Sequence, residues 1–353
     1  MSIETKPYID NAFHFNNAER DIQESVMPNV PRKTIDVHTH LGRRKDADGL
    51  AVELYTNMIS TFTYFSREEH YEARRTLWTD GFDDITQVAF CFPFRGINIK
   101  SGNDYVFEVG KIDKNFIPFL TGDPLDIAYT LHELDTREWK GVKIHPEQLE
   151  KKVRNITDFF PHPVLSKINE EKLPITLHLP TNLMIDYPEL TNLAEIYPHV
   201  HFIVAHFGMS RGNIQLVEKA LMSIAAYDNI FLDTSWFIDG EVIKRGLKIV
   251  GPDKILYASD QPYNLIRARF VTHPRLGERV LTDFPYHWAN PEEQRAYQNA
   301  TGLDPHEFSN FHFEGLRALM EAIDKCSETE TEKDTIINKI FITNAQKILG
   351  IKS

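Results

Sequence analysis

The sequence predicts an α/β fold, a TIM-type (β/α)8 barrel with long loops over its C-terminal mouth, and three observations predict it. Eight short apolar runs alternate with longer amphipathic stretches between about residue 34 and residue 260. Most of those runs are near-continuously apolar, as strands buried on both faces are. Histidine or aspartate stands at the C-terminal end of several of them, and in a β/α barrel those ends surround a single mouth. Alternation alone fits an open doubly wound sheet equally well, so the placement of the polar residues decides for the barrel.

In chain order the strands are TIDVHTH (34–40), QVAFCFP (87–93), FIPFLTG (116–122), GVKIH (141–145), PITLHL (174–179), HFIVAH (201–206), NIFLDTS (229–235) and KILYAS (254–259). Helices are expected at PLDIAYTLHELDTREW, at PELTNLAEIYP, which opens on a proline, and at NIQLVEKALMSIAAYD. Two insertions stand out. Residues 41–86 contain the helix SREEHYEARRTLW, and residues 261–310 are rich in Pro, His and aromatics. Both are expected over the mouth. Residues 1–33 form an N-terminal extension expected to cap the barrel bottom or to contact a partner. Residues 34–353 form one domain, in which SETETEKD (327–334) reads as a solvated linker before a final helix ended by Gly350.

The chain has 353 residues, 42% hydrophobic and 25% charged, enough for a sizeable core. Its 39 basic against 51 acidic residues give a net charge of -12, which argues against nucleic acid or an anionic membrane as partner. A small-molecule substrate is expected instead. The two cysteines, Cys91 and Cys326, build no disulfide framework. With no signal pattern and no long apolar window, a cytoplasmic location is expected.

His38 and His40 lie two apart on the first strand, so both imidazoles face one side and can converge on one ion. An HxH alone is a modest signal, and any single strand-end histidine is ordinarily a satisfied core residue. His178, His206 and Asp260 end three further strands at the same rim, each followed by loop-forming residues. Together they point to a metal site, because unpaired buried polar groups are costly. Lys143 and His145 share a face of the fourth strand. Three readings stand for Lys143: carboxylated bridge between two metals, cationic anchor for a substrate oxyanion, or structural ion pair. His145 and Trp236 read as pocket residues, Asp233 and Ser235 as pocket-lining, and Asp36 as a deeper orienting group. Arg43 with Arg44, or Arg267 with Arg269, fits a carboxylate clamp. His199 and His201 fall at the wrong end of the barrel, and His70 and His312 have no partner pattern.

The run TIDVHTHLG, then GVKIHP, PITLHLP, HFIVAHFG, NIFLDTS and KILYASDQPY, closed by TNAQKILGI, resembles the amidohydrolase-related family that contains aminocarboxymuconate semialdehyde decarboxylase. The resemblance covers about residues 34–260 and the C-terminal segment; the insertions and the extension match nothing in it. It implies one divalent metal, usually zinc, bound by His38, His40, His178 and Asp260, with His206 as an acid/base beside it. Branches with a carboxylated strand-four lysine hold two metals, so Lys143 keeps a second metal open. Dimers in which one subunit's loop reaches the other's site occur in the family, so a homodimer is an available assembly. The expected reaction is hydrolysis of an ester, lactone or amide of a small carboxylated substrate by activated water. Asp260, His206 and Lys143 are the expected catalytic residues, with Arg43, His145, Trp236 and Arg267 against the substrate. The alternative is non-oxidative decarboxylation of an unsaturated or aromatic acid, which Phe62, Tyr64, Phe65, Trp236 and Tyr263 would suit. A non-catalytic scaffold that kept only the barrel shape is the third reading.

Overall fold

The computed structural model of the chain describes residues 13–47, 64–78, 84–149, 153–283 and 290–351. Phe62 lies outside them.

The apolar runs become parallel strands in sequence order. β1 (Thr34–His40), β2 (Ile85–Phe90) and β3 (Phe116–Pro118) form one sheet. β4 (Leu120–Thr121), β5 (Val142–Ile144), β6 (Pro174–Leu177), β7 (His201–Val204), β8 (Ile230–Asp233) and β9 (Ile255–Leu256) form the next. β3 and β4 are two halves of the expected third strand. Phe119 between them bonds back to Ala89 O at 2.9 Å, while Leu120 bonds forward to Gly141 O at 2.9 Å. The ring closes where the eighth strand meets the first, through Val37 N to Tyr257 O at 3.1 Å, Asp260 N to His38 O at 2.9 Å and His40 N to Gln261 O at 2.7 Å. Closure leaves no exposed edge and puts the residues after β9 against the HxH strand.

Helices follow the strands as the amphipathic pattern predicts. α2 (Arg67–Leu77) is capped by Ser66, whose hydroxyl accepts from Glu69 N while the Glu69 carboxylate accepts from Ser66 N. α3 (Ile99–Ile112), α4 (Ile127–Thr136), α5 (His162–Glu171), α6 (Leu183–Ile196), α7 (Ile214–Ala225) and α8 (Gly240–Ile249) complete the outer layer. α6 begins before Pro188 rather than at it. The Asp186 carboxylate accepts from Thr181 N and Asn182 N just ahead of the helix, and the proline is accommodated inside.

The core has two layers. Inside the barrel sit Ile35, Val37, Phe90, Ile203, Phe231 and Leu256. A larger apolar layer lies between strands and helices.

The two terminal segments pack on different parts of the barrel. α1 (Asn17–Val26) is not at the barrel bottom. Glu19, fully buried, accepts from Arg267 Nε at 2.8 Å and from Asn310 N at 3.1 Å, which docks α1 on the insertion after β9. That insertion is not loop alone. β10 (Arg267–His273) and β11 (Gly277–Thr282) form an antiparallel hairpin, extended by β12 (Ser309–Asn310) on the free side of β10. α9 (Pro291–Thr301) and α10 (Phe311–Asp324) follow. The acidic stretch read as a linker is helical from Glu330. Thr329 caps α11 (Glu330–Asn338) by accepting from Glu332 N, and the acidic first turn complements the helix dipole. A π-turn (Lys339–Thr343) leads into α12 (Asn344–Leu349), which ends on Gly350 at φ 64°. Ala345 and Ile348 of α12 join the inner cluster beside Ile35 and Leu256, so the C-terminal helix closes the barrel floor.

Candidate metal centre and its cavity

One strand-end rim gathers the chemistry. A cavity of about 400 Å3 opens there, walled by His38, His40, Lys143, His145, His178, His206 and Asp260, with Trp236 and Tyr263 above them. Its size is that of an ordinary small-molecule site. Five non-glycine residues at this rim hold positive φ: His206 (57°), Phe207 (51°), Met209 (51°), Trp236 (50°) and Asp260 (62°). Such backbone is costly for residues with a Cβ and persists where the surroundings impose it, commonly at functional sites.

Asp260 is the hub. Its Oδ1 lies 3.1 Å from His40 Nε2 and 3.3 Å from His38 Nε2. Burial pushes its pKa up, but the His38 imidazole and the hydrogen bond to His40 outweigh that and hold it well below the usual carboxylate range. Two of the rings, His38 and His206, are held at Nδ1 from behind. His38 Nδ1 is 2.9 Å from Asp233 Oδ2. His206 Nδ1 is 2.9 Å from Ser235 Oγ and 3.1 Å from the Ser235 carbonyl. Asp233 Oδ1 accepts from His206 N, Ser235 N and Ser235 Oγ, so one carboxylate fixes two histidines. With Nδ1 engaged, both rings present Nε2 to the cavity.

Ligating atoms of His38, His206 and Asp260 all lie within 4.8 Å of one another. His206, which the resemblance puts beside the metal as an acid/base, therefore stands in the tightest donor cluster. His40 adjoins it through Asp260. His178 lies against His145 at 4.3 Å between ring centroids and against His206 at 5.1 Å. The residues fit a divalent ion. His40 Nδ1 and His178 Nδ1 are buried without a hydrogen-bond partner. Burial drives the His40 and His206 pKa values down to about 4 and His178 well below its ordinary value, so the rings are neutral near pH 7, the form that ligates. Three or four imidazoles and one carboxylate make a nitrogen-rich set of the kind zinc takes.

Lys143 is buried on the wall, its Nζ 5.4 Å over the Phe90 ring, and it makes no ion pair among the described residues. Burial lowers its pKa to about 8 against the opposing pull of Asp260 and Asp233. His145 and Trp236 line the cavity. His145 Nδ1 accepts from Glu147 N at 3.2 Å, and Trp236 stacks on Phe311 at 4.4 Å.

The arginines require correction. Arg43 pairs with Asp46 three residues on, at 3.0 Å and 3.1 Å, and donates to Ser101 O. Arg267 is turned toward Glu19, and Arg269 is exposed on β10. None of the three forms the cavity wall; the guanidinium there is Arg211, which sequence reasoning passed over. Asp36 does not reach a ligand ring either. It accepts from Ser259 N, Ser259 Oγ and His38 N, locking β1 to the eighth strand. His70 has a place after all, its Nε2 2.9 Å from the His40 carbonyl.

Among the described residues no helix is long and apolar enough to cross a membrane. Cys91 is buried, which pushes its thiol up to about 12.

The amidohydrolase family model matches residues 35–351. The comparison with curated proteins returns no match. Solved structures are similar over nearly the whole chain. Amidohydrolase 2 from Bifidobacterium longum subsp. infantis has a TM-score of 0.52 at 14% identity, over 90% of this chain and 99% of that one. An amidohydrolase from Burkholderia multivorans, described with bound zinc, has a TM-score of 0.54 at 12% identity, over 90% and 99%. 5-Carboxyvanillate decarboxylase from Novosphingobium aromaticivorans, described with bound manganese, has a TM-score of 0.51 at 15% identity, over 90% and 97%. At these identities the likeness speaks for the fold.

Proposed function

This chain belongs to the amidohydrolase family and is an enzyme of that superfamily, and on that premise we propose that it hydrolyses an ester, lactone or amide bond in a small carboxylated substrate. The observation that carries the reading is a buried carboxylate kept ionised, Asp260, in contact with the Nε2 atoms of His38 and His40. His38, His40, His206 and Asp260, with His178 adjoining, would hold the divalent ion, most naturally zinc. Such an ion lowers the pKa of water and polarises a carbonyl.

The chain's own groups supply the rest. Asp260 Oδ1 lies beside the Nε2 atoms that would hold the ion, which leaves Oδ2 to take the proton of the attacking water. Ser235 O accepts the proton of His206 Nδ1, so His206 offers a lone pair at Nε2 and acts as ligand or acceptor rather than as acid. Lys143, cationic below about pH 8, is the donor available to an oxyanion forming on the substrate. The aromatic side chains on the cavity wall suit a flat substrate.

Those walls also favour the second reading, decarboxylation of an aromatic or unsaturated acid, since Phe94, Trp236 and Tyr263 line the cavity. A panel of lactones, esters and hydroxylated aromatic acids, assayed for acid release and for CO2, separates the two. Acid release without CO2 supports hydrolysis; CO2 from an aromatic acid, with no lactone or ester opened, overturns it.

A further inference from the structure

We propose that Arg211 anchors a carboxylate at the end of the substrate remote from the metal ligands, so that the enzyme selects small organic diacids over monoacids. This deepens the functional reading above and rests on it for the metal end of the cavity.

Arg211 sits in the loop between the turn Ala205–Met209 and α7, on the wall of the same cavity as His206. Its guanidinium carbon lies 5.5 Å over the Phe237 ring. Its Nε is buried without a hydrogen-bond partner, as is the neighbouring Ser210 Oγ. The acidic groups that face it are Asp239 and Glu278, and neither forms an ion pair with it. Asp239 Oδ1 is already spent on Glu241 N and Val242 N at the start of α8. The two arginines that the sequence offered as clamps are held by carboxylates, Arg43 by Asp46 and Arg267 by Glu19.

Arg211 is partly buried, and a buried Nε without an acceptor carries a cost that is offset when an anion binds the guanidinium bidentately. The same cavity wall carries Met209, Trp236, Tyr263 and Ile266, largely apolar side chains. A molecule that satisfies both ends has an anionic group at Arg211, an apolar or ring-like middle, and its reacting carbonyl or carboxylate at the metal ligands. Glu147 stands on the His145 side of the cavity and disfavours a second anion there.

Isophthalate and benzoate share a ring and one carboxylate and differ by the second, so their binding to the zinc-loaded protein, measured calorimetrically, isolates this contact. Isophthalate is expected to bind about 10- to 100-fold more tightly than benzoate, the usual worth of a charge-assisted pair. Arg211→Met is expected to abolish most of that preference while zinc content and benzoate binding stay as they were, and Arg211→Lys to recover part of it. Arg211→Gln repeats the measurement should the Met variant not fold. No preference in the unaltered protein, or a preference that survives Arg211→Met, overturns the proposal. Zinc content and benzoate affinity read the metal centre separately, so failure of the metal reading shows in those two quantities and not in the diacid preference.

Discussion

The Asp233 carboxylate lies 2.9 Å from His38 Nδ1 while its other oxygen accepts from the His206 backbone, so one side chain orients two rings of the centre. Asp233→Asn replaces an acceptor with an amide and leaves the volume unchanged. The expected result is a folded protein whose zinc affinity falls about 10- to 100-fold, measured by competition with a chelator, as other losses of a histidine-orienting carboxylate do. Unaltered affinity would show that His38 does not depend on Asp233.

Lys143 is buried, and burial lowers its pKa from 10.5 to about 8. The unfolded chain binds this proton more tightly than the folded one, so its burial penalty is complete below about pH 8 and fades as pH rises toward 10.5. At pH 7 the penalty is about 3 kcal/mol, from 1.36 kcal/mol per unit. Lys143→Met is therefore expected to raise stability at pH 7, with the advantage shrinking between pH 8 and 10.5, while catalysis is lost. Denaturant midpoints across that range check it. A variant no more stable than the parent at pH 7 would show that the ammonium is compensated in the fold.

Gly208 lies directly after His206 and Phe207 in the positive-φ turn. At φ +65° an added Cβ would stand 2.6 Å from Leu183 Cβ on α6. Gly208→Ala combines strain with overpacking and is expected to destabilise by about 2 kcal/mol, read from denaturant midpoints. It also shifts His206, so metal affinity is expected to fall with stability.

Arg267 serves the fold rather than the substrate. Its removal leaves the fully buried Glu19 side chain facing backbone amide donors with no cation beside it. Arg267→Ala is expected to cost about 3–5 kcal/mol, as breaking other buried pairs does. Limited proteolysis is expected to cut first around α1, and the diacid preference of the unaltered protein should persist in whatever fraction remains folded.

Strand order and much of the site were legible because both depend on local rules. Parity along β1 brings His38 and His40 to one face, and strand-end position brings His178, His206 and Asp260 to one rim. Arginine roles were not legible, because a long side chain is claimed by whatever carboxylate the fold delivers. Glu19 stands 248 residues before Arg267, and nothing local marks the pairing. Asp46, three residues after Arg43, was a local signal that could have been read. Arg211 was hidden for another reason: its orientation follows from the consecutive positive φ angles of the turn before it, which no periodicity reports. The helix after Thr329 was missed because a run of acidic residues reads as solvated chain, although the Thr329 cap with Glu332 three residues on was in view.

The central claim is that the strand-end histidines and Asp260 form a metal centre, and the metal content of the purified protein tests it most directly. After zinc loading and gel filtration, elemental analysis is expected to find bound zinc in the unaltered protein and little in folded Asp260→Ala or His38→Ala variants. Zinc retained equally by those variants, or none taken up by the unaltered protein, would contradict the account.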